Sequence, residues 1–309
     1  MKLTRLALIA CAIFRISLPC MAHGTEAGTT GTSEHTLGVG ELTRSYFVHI
    51  PPNLDPAVPS PLVLVLHGGA SNARNGMKIS GFEAKADAEK FIAVFPSGTG
   101  GLKLLRTWNA GTCCGPASDN NVDDVGFIRM LIEHLKAQMN IDPQRIYVAG
   151  FSNGGMMVYR LLCEMPEAFA AAAVLSGVIH VEECIPSEPV PLVVFHGTAD
   201  ELVPYAGGKP KLTIPGYERI DPSFEFTVST WAKLNRCVTP PTAERNGAVI
   251  HEIYSAREDG APVEVYTIQG GKHAWPGGQK EWFFAPKPAD EINATDVIWD
   301  FFKRFTNED

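Results

Sequence analysis

The serine at position 152 stands among glycines in the stretch RIYVAGFSNGGMM, Arg145 to Met157. A serine hydroxyl becomes a nucleophile when a base takes its proton. That base is most often a histidine held in one tautomer by a carboxylate. Gly150-Phe151-Ser152-Asn153-Gly154 fits G-x-S-x-G, with a strand-like run before it and a helix-like run after it. This is the context of a nucleophile lifted above a sheet on a strained turn. A plain helix N-cap would use the same residue type at the same junction. The rest of the chain has to supply partners for the first reading to hold.

On an α/β sheet with such an elbow, the acid and then the histidine follow the serine in chain order. Asp200, in VVFHGTADELVP, comes directly after an apolar strand-like run. Open α/β sheets build their sites at that end of a strand. Glu201 is the rival acid, one place further on. Asp123 and Asp124 precede the serine and suit a helix N-terminus or a structural role. His273, in YTIQGGKHAWPGG, follows a strand and two glycines. His251, in GAVIHEIY, reads as a mid-strand side chain. The transition state of ester cleavage carries an oxyanion, which needs preorganised N–H donors. The candidates are the backbone N–H of Asn153 and that of Gly69, in LVLVLHGGASNA. His67 and His196 each open an H-G pair after a strand and read as structural. The chemistry calls for no metal and no organic cofactor.

These residues need a sheet to position them. SPLVLVLHGG is a continuous apolar run, as expected of a strand covered on both faces. GFEAKADAEKF is helix-like and IAVFPSG strand-like. LKLLRTWNAGTCCGPASDN is a long irregular loop of the kind that often serves a site. VDDVGFIRMLIEHLKAQM has helical periodicity. Strands and helices alternate onward through AFAAAAVLSGV, PVPLVVFHG, SFEFTVSTWAKLNRC, VEVYTIQGG and NATDVIWDFFKRF. The expectation is a single α/β domain with a doubly wound, mostly parallel sheet over residues 36–309. Segment 201–224, rich in Pro and Gly, is placed to cover a site.

The chain has 309 residues, 45% apolar and 19% charged, with a net charge of −8. It carries no Lys/Arg-rich run, which argues against a nucleic-acid partner. MKLTR, LALIACAIF and SLPCMA follow the order of a secretory signal peptide over residues 1–22, with Arg15 interrupting it. A buried N-terminal helix is the alternative. Residues 23–35 are small and polar and are expected to be a disordered lead-in. No other stretch approaches a membrane span. The mature protein is expected to be exported, extracellular or periplasmic, and free of the membrane once the signal is removed. Cys11 and Cys20 leave with the signal. Cys113, Cys114, Cys163, Cys184 and Cys237 remain, and their spacing does not fix a connectivity. Since a ring between neighbours is strained, Cys113 and Cys114 are expected to bond to distant partners. The spacing shows no zinc site.

With these motifs in order, the chain resembles the secreted esterase family of polyhydroxybutyrate depolymerases and feruloyl esterases. The matching stretches are LVLVLHGG, TWNAGTCCG, VDDVGFI, IDPQRIYVAGFSNGGMM, FHGTADELVPY and GGKHAWPGG. The resemblance implies the α/β-hydrolase fold and carboxylic ester hydrolysis, with Ser152, Asp200 and His273 as the triad. It also implies a surface-facing site without a large lid. The implied substrates are polyester oligomers of the hydroxybutyrate type or feruloyl-polysaccharide esters. Trp275, two residues after His273, and Trp108, in the long loop, are candidates for substrate binding. Each could equally pack beneath its loop. A serine peptidase, an acyltransferase and a non-catalytic exported binding protein are the competing readings. The oligomeric state is left open.

Overall fold

The apolar runs pair into one large sheet. The computed structural model describes residues 30–102, 105–212 and 218–307. The expected signal peptide, with Cys11 and Cys20, lies outside the described residues. In chain order the strands are β1 (Gly31–Val39), β2 (Leu42–Ile50), β3 (Ser60–Leu66), β4 (Ile92–Pro96), β5 (Thr99–Leu102), β6 (Leu105–Thr107), β7 (Ile141–Phe151), β8 (Ala171–Leu175), β9 (Leu192–Gly197), β10 (Thr242–Asn246), β11 (Val249–Tyr254) and β12 (Val263–Ile268). The helices are α1 (Ala73–Ser80), α2 (Phe82–Glu89), α3 (Gly115–Asp119), α4 (Asp124–Gln138), α5 (Asn153–Glu164), α6 (Phe224–Leu234) and α7 (Ala294–Phe302).

The main sheet runs in the order β1-β2-β4-β3-β7-β8-β9-β12-β11-β10. The six strands from β4 to β12 are parallel, and an antiparallel pair finishes each edge. Strand β3 shows why its sequence is apolar without a break. Leu62, Leu64 and Leu66 enter one core layer, and Val63 and Val65 the other. The first layer is completed by α4, α5 and α6 through Ile128, Leu131, Leu161 and Trp231. The second is completed by α1, α2 and α7 through Ile79, Phe82, Ile298 and Phe302. A sheet buried on both faces leaves its strand ends as the exposed part. The chain leaves β3 for β4 on one side and returns to β7 on the other. The loops after β3 and β7 therefore diverge and open a crevice at the carboxyl ends of the strands.

Two expectations are corrected. Strand β1 begins at Gly31, inside the segment 23–35 expected to be disordered, and pairs with β2 from Gly31 opposite Ile50. It is an edge strand held by backbone pairing: Thr32, Glu34, Thr36 and Gly38 are exposed on one face, and on the other only Leu37 and Val39 are apolar and pack on the core, so most of its side chains can be small or polar. The folded domain thus starts before residue 36. Cys113 pairs with its neighbour Cys114, and Cys163 with Cys184, while Cys237 is a buried free thiol. The adjacent cysteines sit in a small buried cluster with Ala110, Met156, Val178 and Val203, which contains no other cysteine to reach. The Cys163–Cys184 bridge ties the end of α5 to the loop after β8. No helix among the described residues is long and apolar enough to cross a membrane.

Candidate active site

Ser152 sits at the junction of β7 and α5 with φ 55° and ψ −123°. A non-glycine residue at positive φ is strained and needs its surroundings to hold it there. The Ser152 N–H donates to the Leu175 carbonyl at 2.8 Å, and its carbonyl accepts from the Met156 N–H at 2.9 Å. Its side chain makes no capping hydrogen bond to α5, which removes the plain N-cap reading. Bare neighbours make the turn possible. A Cβ on Gly150 would strike the Gly154 carbonyl, and one on Gly154 would strike the carbonyls of Leu66 and His67.

Asp200 follows β9 and His273 follows β12, adjacent parallel strands that bring the two loops together. His273 Nδ1 lies 2.7 Å from Asp200 Oδ2. The other carboxylate oxygen, Oδ1, accepts from the N–H groups of Leu202 and Val203 at 2.9 and 2.8 Å. Burial acts to raise the Asp200 carboxyl, but His273, His196 and the Val203 N–H outweigh it and hold it below the usual carboxylate range. An ionised Asp200 accepts the Nδ1 proton, which leaves the lone pair of His273 on Nε2. The His273 ring packs against Phe151, the residue before the serine, with centroids 4.8 Å apart. Ser152 and His273 line one cavity. His196 donates from Nε2 to the Val203 carbonyl at 2.8 Å, a structural role. His251 lies on β11 beside Glu264, and Asp123 caps α4, also as expected.

Gly69 comes from the loop after β3 and faces Asn153 so closely that a Cβ on it would lie 3.3 Å from the Asn153 Cβ. Both residues line the same cavity as Ser152. Asn153 is the first residue of α5, so its N–H has no acceptor within the helix. Its side chain is committed elsewhere. Oδ1 accepts from the Trp108 N–H at 2.7 Å, and Nδ2 donates to the Trp108 carbonyl at 3.0 Å. Trp108 Nε1 donates to the His67 carbonyl at 3.0 Å. His67 Nε2 accepts from the Gly98 N–H, so Nδ1 carries the proton and donates to the Gly68 carbonyl at 2.7 Å. Beneath this lattice, Asp124 accepts from Arg44 at 2.6 Å and from the Asn109 N–H at 2.8 Å, with both charged side chains buried.

The two tryptophans expected to bind substrate do not line the cavity. Trp108 is fully buried under its loop, and Trp275 is 1% exposed in the core, with Nε1 donating to Thr295 Oγ1 at 2.9 Å. Each indole N–H finds a protein acceptor, so an aromatic body close to the site in sequence is packing in space. The cavity, about 170 Å³, is walled instead by Met156, Leu202, Leu212, Arg219, Glu281 and Trp282. Leu202, Leu212 and Arg219 come from the 201–224 segment expected to cover a site. Glu281 and Trp282 were missed. The run EWFF in a proline-rich loop, far from any strand pattern, was the signal that could have found them.

The first part of this crevice, including Gly69, Ser152 and Asp200, lies in a segment that matches a known family. A family model described as esterase PHB depolymerase matches residues 44–207. The chain belongs to that family. It is a carboxylic ester hydrolase, and feruloyl esterases and a polyester depolymerase are among its relatives. It is 33% identical to feruloyl esterase C of Emericella nidulans over 86% of this chain and 87% of that protein. It is 31% identical to feruloyl esterase B of Piromyces equi over 78% of this chain, but spans 44% of that protein's length. It is 27% identical to poly(3-hydroxyalkanoate) depolymerase C of Paucimonas lemoignei over 79% of this chain and 62% of that protein. Among solved structures, the acetyl xylan esterase from Aspergillus awamori superposes with a TM-score of 0.63 at 16% identity, covering 88% of this chain and 99% of that one. At that identity the likeness concerns the fold, which is the α/β-hydrolase fold.

Proposed function

We propose that this family member is a secreted serine esterase working through an acyl-enzyme, on feruloyl-polysaccharide esters or hydroxybutyrate-type polyester oligomers. Ser152 is the nucleophile, His273 the base and Asp200 the group that orients it. His273 Nε2 takes the serine proton as Oγ attacks the ester carbonyl. The N–H groups of Gly69 and Asn153 stabilise the oxyanion. The imidazolium returns the proton to the leaving alcohol, and water then releases the acid by the same route. The observation that carries this reading is the 2.7 Å His273–Asp200 contact opening on the cavity that Ser152 lines. Secretion is supported by the order of residues 1–22 and by the Cys163–Cys184 bridge, which suits an oxidising compartment.

The test is turnover of p-nitrophenyl butyrate and methyl ferulate by the wild type and by Ser152→Ala. Loss of kcat by about a millionfold is expected. A fluorophosphonate probe should label the wild type at Ser152 and leave the variant unlabelled. Near-normal turnover by the variant would overturn the assignment.

A further inference from the structure

The catalytic cavity does not end at Trp282. A second cleft of about 500 Å³ shares Ala70, Glu281 and Trp282 with it and runs on over α1 and β2. Its lining differs in kind. Asn72, Arg74 and Lys78 of the α1 region, Arg106 of β6 and Glu34 of β1 supply polar groups, while Phe47 and Trp282 supply flat apolar ones. The charges are of both signs, and Arg74 pairs with Glu34 at 3.8 Å while lying over the Phe47 ring. The wall between the clefts is pinned to α1: Asn75 Nδ2 donates to Glu281 Oε1 at 3.0 Å and to Ser71 Oγ at 2.8 Å. Trp282 is 54% exposed, whereas the other four tryptophans are at most 5% exposed.

We infer that this cleft is the subsite for the alcohol side of the ester and that it takes a neutral sugar residue. The inference rests on the proposed esterase reading and chooses between its two substrate classes. Mixed charges and amides dispersed along a cleft suit neutral hydroxyls, which both donate and accept. They suit neither an anion nor an aliphatic polyester, whose burial would strand those groups without partners. One exposed indole at the junction offers a flat face for the ring of a sugar. Binding energy gained in this cleft, remote from the bond being broken, raises kcat/KM for an ester that carries the sugar.

The experiment compares methyl ferulate with ferulate esterified to arabinose, in the wild type and in an Arg74→Ala/Lys78→Ala double variant. The readout is the ratio of the two kcat/KM values, in which any loss of folded enzyme cancels. The wild type is expected to favour the sugar ester about tenfold or more, and the double variant to bring the ratio towards one. Alongside, an unesterified arabinoxylan trisaccharide is titrated against tryptophan emission, which Trp282 should dominate in its response. A shift is expected in the wild type, with an affinity about tenfold weaker in the double variant. A ratio of one in the wild type with methyl ferulate turned over, and no emission shift, would overturn the subsite and leave the esterase reading standing. An emission shift without turnover of either ferulate or of p-nitrophenyl acetate would overturn the esterase reading, and with it the alcohol-side role of the cleft, and leave only a sugar-binding cleft.

Discussion

The floor and the mouth of the crevice are built on opposite plans. The floor is dry and closed upon itself. His67, Trp108, Asn153 and the Arg44–Asp124 pair are all buried, and each is engaged by named hydrogen bonds. The mouth is wet and loosely packed. Trp282, Phe283 and Phe284 are 54%, 85% and 81% exposed. Residues that must hold a reacting atom to fractions of an ångström need a rigid surround, and those that meet variable parts of a substrate do not. The contrast can be tested by perturbing each region in turn and asking whether activity, stability or neither responds.

The largest effect is expected where floor and chemistry coincide. Asp200→Asn keeps an oxygen for the N–H groups of Leu202 and Val203 but turns an amide N–H towards His273 Nδ1. Nδ1 must then accept, Nε2 carries the proton, and the base is lost while the fold stays. A fall in kcat of about 10⁴ is expected, with little change in the unfolding midpoint. An active Asp200→Asn enzyme would mean that the proposed base is misassigned.

Next is the buried ion pair. Asp124→Asn leaves the Arg44 guanidinium charged and poorly matched beneath the Trp108 loop. Removing one partner of such a pair costs about 3–5 kcal/mol, read by chemical denaturation. If the variant unfolds at the wild-type midpoint, the floor is not the rigid half of the comparison.

The third test uses pH. Burial pushes His67 down to about 4 from an ordinary 6.5. As pH falls through 6.5, the unfolded chain takes up this proton and the folded protein does not, until about pH 4. Stability from this group is therefore complete above 6.5 and declines across that window, by about 3 kcal/mol in all. His67→Gln, which keeps an acceptor for the Gly98 N–H and cannot titrate, should be less stable at pH 7 and lose less over the same window. Denaturant midpoints at pH 7, 6, 5 and 4 for both proteins check this, and parallel slopes would refute it.

The same division explains what could be read before the structure. Ser152, Asp200 and His273 each stand at the end of an apolar run, and a parallel sheet brings successive strand ends to one edge. Chain order and hydropathy were enough to put them at those strand ends, and their catalytic roles are the proposal made above. The place of Gly69 in the loop after β3, beside Asn153, was legible for the same reason. Trp108 and Trp275 were misplaced because nearness in sequence does not say which side of a loop faces solvent. That is decided by Asn153 and Thr295, distant residues that satisfy their polar groups. The Cys113–Cys114 pairing depended on what else shares their pocket, which spacing does not encode. Strand β1 was hidden because backbone pairing at an edge leaves little trace in side-chain pattern.

The smallest effect should come from the outer mouth. Phe283 and Phe284 pack edge to face on each other, with centroids 5.0 Å apart, and most of both rings remains in water. Their hydrophobic surface is nearly as exposed as it would be in the unfolded chain, so little is lost when it is removed. A Phe283→Ser/Phe284→Ser double variant is expected to unfold within about 0.5 kcal/mol of wild type. Two buried phenylalanines, such as Phe82 and Phe95, would cost several kcal/mol each on truncation to Ala. A penalty above about 2 kcal/mol for the exposed pair would show that the mouth is packed in solution as tightly as the floor, and the division drawn between them would fail.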